Sequence, residues 1–270
     1  MIKALKKIIL PFVKPELQKV NKLRNLHNGE SCYLIGNGIT LKWFDLEAFS
    51  DKISISCGSL PFHNDFHKLN VKYMSYIEPW FFYPKSWSIR NPFKITRNVR
   101  QNAFINAIQD NPDITFFLNL SNYFALNSKN IKFLYKEIYD KNLNQNFISK
   151  RINSFHGAIR TMILMAIYMG FKECILVGFD YTHLPSRNLH FYEKGEGQFI
   201  PQPNYNEDFF TIAKEFINIK TITLDGKSEY LEAITYEDYT GKKPFFRENK
   251  DLLKVDYLEM LATWKGYSIY

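Results

Sequence analysis

Four groups of residues carry side chains suited to work on an anionic, activated substrate. Gly36-Asn37-Gly38 follows an apolar run. Glycines there let a backbone approach a phosphate, a following helix start would supply N–H donors, and the Asn37 amide can read a ribose or base edge. A plain tight turn would use the same glycines. Gly178-Phe179-Asp180 closes another apolar run. The Asp180 carboxylate suits a ribose, a metal or an acceptor hydroxyl, and equally a helix cap or turn. In the segment RINSFHG, Arg151 can pair bidentately with a phosphate, Ser154 and nearby N–H groups can cradle one, and His156 is a catalytic candidate or a cap. His190 lies in a long polar stretch, 182–205, where a histidine can serve as general base. His183 is the second choice and His156 the third.

The spacing of apolar runs predicts what holds these groups in place. Ser31–Ile35, residues 52–57, 71–77, 113–120, 173–177 and, as the final one, 219–224 read as strands. Thr40 is placed to cap a helix running to about Phe49. Residues 131–139, Ala158–Met169 and 207–217 read as further helices. Several strands are apolar throughout, and strands alternate with helices. That pattern predicts an α/β, Rossmann-like, mostly parallel sheet with helices on both faces. Ligands in such sheets bind beyond the carboxyl ends of the strands, so the loops after residues 35, 57, 77, 120 and 177 are the ones to watch. The stretch 182–205 is longer than most α/β connections and reads as a lid.

The chain has 270 residues and a formal net charge of +8. Its hydrophobic content of 46% matches a globular domain and excludes wholesale disorder. Three cysteines, at 32, 57 and 174, exclude a disulfide framework and a zinc ribbon and fit a reducing compartment. Seven basic residues against two acidic ones give residues 1–31 a net charge of +5, so the body is nearly balanced. The start, MIKALKKIILPFVK, sets lysines beside apolar residues, which suits an anionic membrane surface or a helix packed on the domain. It lacks a signal-peptide cleavage pattern. The layout is an arm over 1–30, a domain over 31–240 with its lid near 182–205, and a tail over 241–270. Nucleic acid is not an expected partner. The apolar stretch 161–179 is broken by Gly170, Lys172 and Glu173, so it predicts a buried helix, a turn and a strand rather than a membrane span.

Two segments together resemble a known family. CYLIGNGITL is similar to the amino-terminal IxGNGPSL of bacterial sialyltransferases of glycosyltransferase family 42, an element also found in proteins with a 6-hydroxymethylpterin pyrophosphokinase-like domain. AIYMGFKECILVGFDYTH resembles the second shared element, an apolar helix followed by Gly-(Phe/Tyr)-Lys-Glu, a strand and Gly-x-Asp. The resemblance implies a GT-A-like variant of the Rossmann sheet. It implies a transferase that moves a sialic or related nonulosonic acid from a CMP-activated donor, with inversion and no essential cofactor or metal. Asn37 falls on the family's nucleotide-binding Asn, Arg151 on the Arg of its Arg-Ile-Thr-Ser segment and Ser154 near its Thr-Ser, and His190 is the best candidate for its general-base His. The donor site would also draw on Gly36, Gly38, Gly58, Glu78, Asp180 and a lid tyrosine, Tyr181 or Tyr192. Departures are visible. Pro-Ser is replaced by Ile39-Thr40, Gly58 stands where Asn is expected, and Glu78 stands before Pro79 where Asn is expected.

The resemblance further implies a cell-surface glycan or glycolipid acceptor, as in lipopolysaccharide or capsule assembly. The expected location is cytoplasmic, peripheral on the inner face of the bacterial inner membrane; oligomeric state is left open. The rivals are a pyrophosphokinase-like phosphotransferase using ATP and Mg²⁺, with Asp180 and Glu78 as metal carboxylates, and a non-catalytic scaffold.

Overall fold

A computed structural model describes residues 11–83, 94–135, 157–201, 207–263 and 267–270, with side chains omitted for 94–98. Arg151, Ser154 and His156 therefore lie outside the described residues, as do Lys3, Lys6 and Lys7 of the arm.

Eight strands form one sheet: β1 Ser31–Ile35, β2 Ile53–Cys57, β3 Val71–Tyr76, β4 Thr115–Asn119, β5 Ile131–Leu134, β6 Glu173–Val177, β9 Asn218–Thr223 and β10 Glu232–Thr235; β7 Ser186–Arg187 and β8 Phe199–Ile200 form a separate antiparallel pair. In the eight-stranded sheet the order is β10-β9-β6-β1-β2-β3-β4-β5, and every pairing is parallel. From β1 the chain steps outward through β2 to β5. It then returns to place β6 on the other flank of β1. The order reverses between β1 and β6, which makes their carboxyl ends the topological switch point.

Alternation along β1 shows why the sheet is buried on both faces. Tyr33 and Ile35 join one core with Met74, Phe116, Val177 and Phe104. Cys32 and Leu34 join the other with Ile55, Phe117, Leu176 and the helix Ala158–Met169. That helix ends at Gly170, whose φ of +87° is the left-handed cap that lets the chain turn into β6. A helical segment over 11–17 and a 3-10 segment Gln18–Leu23 bury Val13, Leu17 and Val20 against the body. Among the described residues, no helix is long and apolar enough to cross a membrane.

Four expectations need correction. Residues 131–139 were expected to be helical, but Ile131–Leu134 form β5, paired with β4 from Phe116 to Asn119. Ile131, Lys132, Phe133 and Leu134 fit a half-buried pleat as readily as a helix turn, and the open edge of β4 decides between them. The helix from Thr40 is two short 3-10 turns, Ile39–Lys42 and Leu46–Phe49. Thr40 does not cap it, because both its N–H and its hydroxyl are drawn to Asp180. The helix at 207–217 stops at Ala213. The strand at 218–223 is not the last; β10 pairs beyond it.

Candidate active site

The switch point is built by very close backbone packing. The Gly36 N–H donates to the Val177 carbonyl, and the Gly38 N–H donates to the Gly178 carbonyl, each at 2.8 Å. A Cβ on Gly36 would sit 2.4 Å from the Gly178 oxygen. One on Gly38 would sit 2.4 Å from Asp180 Oδ1. The glycines are thus required by the approach of the two loops themselves. Asp180 is buried, and its carboxylate accepts from the Thr40 N–H at 3.0 Å and from the Thr40 hydroxyl. It ties the loop after β6 to the loop after β1.

Asn37 projects from this clamp. Its Oδ1 accepts from the Ser59 N–H at 3.2 Å, in the loop after β2. Gly58, with φ of +58°, would place a Cβ 1.8 Å from Asn37 Nδ2. The missing side chain at 58 is therefore the space the Asn37 amide occupies. Glu78 is exposed beyond the end of β3, and its carbonyl accepts from Asn122 Nδ2 at 3.0 Å.

His190 reaches the same place from the segment after β6. Gly38 and His190 form an isolated antiparallel bridge, and the Phe191 N–H donates to the Asn37 carbonyl at 3.1 Å. The expected lid is anchored rather than loose over residues 182–193. Phe191, Tyr192 and Glu193 are buried, and Ser186–Arg187 pairs with Phe199–Ile200 as a small antiparallel ribbon. Asn249 Nδ2 donates to the carbonyls of Tyr192 (3.1 Å) and Ile269 (2.9 Å). The Lys194 N–H donates to the Ser268 carbonyl at 2.6 Å.

The His190 ring is half-exposed and firmly oriented. Its Nδ1 lies 2.6 Å from Glu193 Oε2, which also accepts the His190 backbone N–H at 2.8 Å. Tyr192 stacks flat against the ring at 4.9 Å, and Tyr267 meets it edge-on at 6.0 Å. A carboxylate only accepts, so Nδ1 carries the proton and the Nε2 lone pair is free to act as a base. Glu193 was not anticipated; the signal available was an acid three residues after a candidate base.

His183 is the weaker candidate on geometry. It is buried, 3.9 Å from Asp180 Oδ1, and burial pushes its pKa down, so it sits neutral behind the clamp. Tyr192 is committed beneath His190, and burial raises its phenol. Tyr181 is about half exposed. Lys42 was also missed. It is fully buried and donates to the Gly195 carbonyl at 2.7 Å, with Glu248 at 3.9 Å. Burial pulls its ammonium down to about 8. Among the described residues, no group of three or more His, Cys, Asp or Glu is placed to hold a metal.

No protein-family model matches the chain, and no curated protein does. Solved structures similar to it include the Maf glycosyltransferase of Magnetospirillum magneticum AMB-1, at 11% identity and a TM-score of 0.41. That match covers 94% of this chain and 42% of the other, so the chain spans well under half of that protein's length. An α-2,3-sialyltransferase of Campylobacter jejuni in apo form shares 16% identity, with 91% and 96% covered and a TM-score of 0.47. A sialyltransferase of the same organism in complex with cytidine-5'-monophosphate shares 14%, with 87% and 98% covered and a TM-score of 0.44.

Proposed function

We propose that the protein is a glycosyltransferase that moves a sialic acid or related nonulosonic acid from a CMP-activated donor to a glycan or glycolipid, with inversion. The observation that carries this reading is the backbone linkage that sets Asn37 and His190 side by side. The Phe191 N–H donates to the Asn37 carbonyl and Gly38 bridges His190, so a nucleotide-reading amide and an oriented, half-exposed base are held next to one another across the switch point of a parallel sheet. Such a crevice is where open α/β sheets take their ligands. The two sequence segments that flank it, Cys32–Leu41 and 166–183, are those that resemble the sialyltransferases.

In this reading the acceptor oxygen attacks the anomeric carbon as its proton passes to His190 Nε2. The bond from that carbon to the phosphate oxygen breaks, and the electron pair leaves with CMP. A single displacement inverts the centre. Asn37 holds the nucleotide. Arg151, Ser154 and Tyr181 are assigned to phosphate and leaving-group charge on sequence grounds. The acceptor and the inner-membrane location rest on the basic arm and the resemblance.

The phosphotransferase alternative fits the donor set less well. Asp180 spends both carboxylate oxygens on Thr40, and Glu78 projects from a separate loop. A thermal-shift panel of CMP, CDP, UDP, GDP and ATP tests the choice. Stabilisation by CMP alone supports the transferase; stabilisation only by ATP or UDP sinks it. His190→Ala should cut transfer by roughly 10²-fold or more, and full activity in that variant would remove His190 from its role.

A further inference from the structure

Between residues 61–67 and two helices, Lys94–Gln109 and Val255–Ala262, lies a cavity of about 660 Å³. That is within the range of small-ligand sites. It is separate from the switch-point crevice but shares a wall with it. The Tyr257 hydroxyl donates to Ser59 Oγ at 2.8 Å, and the Ser59 N–H holds the Asn37 amide. The His63 ring sits 5.4 Å from that of Phe191, the neighbour of His190.

The lining has a definite chemistry. Asn102, Asn106 and Asp110 recur every fourth residue and form a row along one side of the cavity. Their side chains are exposed and make no hydrogen bond among the described residues. Each amide offers a donor pair and an acceptor, which suits vicinal hydroxyls. Phe62 and Tyr257 stack at 3.8 Å and supply apolar aromatic surface. Two carboxylates, Asp110 and Asp256, outnumber the single ammonium of Lys254, so phosphate and carboxylate ligands are disfavoured.

His63 is buried, with Nδ1 accepting from the Asp65 N–H at 3.0 Å, so its ring is part of the cavity's wall and not a ligand contact.

We propose that this cavity binds a neutral saccharide at a site distinct from the switch-point crevice. The claim stands on the cavity alone and does not depend on the transferase reading. Titration calorimetry on the full chain would use lactose, N-acetyllactosamine and maltotriose as probes, with glucose 6-phosphate as the anionic control. At least one neutral saccharide should bind with a Kd below about 10 mM, and glucose 6-phosphate should bind more weakly or not at all. The double variant Asn102→Ala/Asn106→Ala, both exposed on their helix, should weaken that binding about tenfold or more while CMP still stabilises the protein. No binding by any of the three, tighter binding of glucose 6-phosphate, or unchanged affinity in the double variant would each overturn the proposal. Failure of the CMP shift with saccharide binding intact would instead remove the transferase reading and leave the cavity's ligand class standing.

Discussion

Replacing Glu193 with glutamine tests the reasoning behind the site most directly. One carboxylate oxygen takes both the His190 backbone N–H, at 2.8 Å, and the ring Nδ1, at 2.6 Å. Hydrogen bonds to a charged group contribute about 1.5–3 kcal/mol each, and neutral ones about half that. The glutamine keeps an acceptor oxygen but not the charge. It can also present its NH₂ group, which would favour the wrong imidazole tautomer. A net deficit of about 1–2 kcal/mol in holding Nε2 ready corresponds to a kcat roughly 5–30-fold lower. Glu193→Ala removes both bonds and should approach the loss caused by His190→Ala. The assay is transfer from CMP-sialic acid to a glycan acceptor, with kcat and donor KM resolved separately. Because Glu193 acts on the base and not on the nucleotide, KM should stay within about twofold. If both variants fold as wild type yet turn over within about twofold of it, Glu193 does not position the base.

Gly58→Asn restores the residue that the resemblance leads one to expect, yet it should weaken CMP affinity about tenfold. Its Cβ would fall 1.8 Å from Asn37 Nδ2, so the Asn37 amide must leave; unchanged affinity by calorimetry would contradict this. Gly36→Ala should lower stability by about 1–3 kcal/mol in urea, because the added methyl meets the Gly178 carbonyl rather than a flexible side chain. For Lys42, burial lowers the folded-state pKa from 10.5 to about 8. Between those values the unfolded chain binds more protons, so this group makes stability rise with pH from about 8 to 10.5. The difference between wild type and Lys42→Met in urea midpoints across that range should show the rise; a flat difference means that Lys42 titrates normally.

Six strands of the central sheet were legible as short apolar runs, most of them closed by Gly, Glu-Pro or Asp, while β10, Glu-Ala-Ile-Thr, offers no such run. β5 was not legible either. Ile131, Leu134, Tyr135 and Ile138 satisfy helical spacing, and a four-residue run cannot settle its own period. Its pairing partner lies in β4 and leaves no local mark. The helix Lys94–Gln109 was missed because few of its described side chains are buried hydrophobics, Phe104, Ala107 and Ile108 among them. Asn37, Asp180 and His190 were visible as candidates, but their relations were not. Thr40 looks like a cap until Asp180, 140 residues on, claims it. Lys42 sits among Leu41, Trp43 and Phe44 with nothing nearby to show that its ammonium is used on Gly195.

The support beneath His190 comes from far along the chain. Tyr192 is held by Asn249, which also holds Ile269, Lys194 is held by Ser268, and Tyr267 flanks the ring. During synthesis, the sheet and both halves of the switch point can emerge and pair before any of those residues has left the ribosome. The Glu193 contact to His190 is local, but the packing beneath the ring would then form only once Asn249 and residues 267–269 arrive. Under the proposed transferase reading, a growing chain could bind nucleotide some time before it could use it, and closing that long-range contact would be a late step in folding.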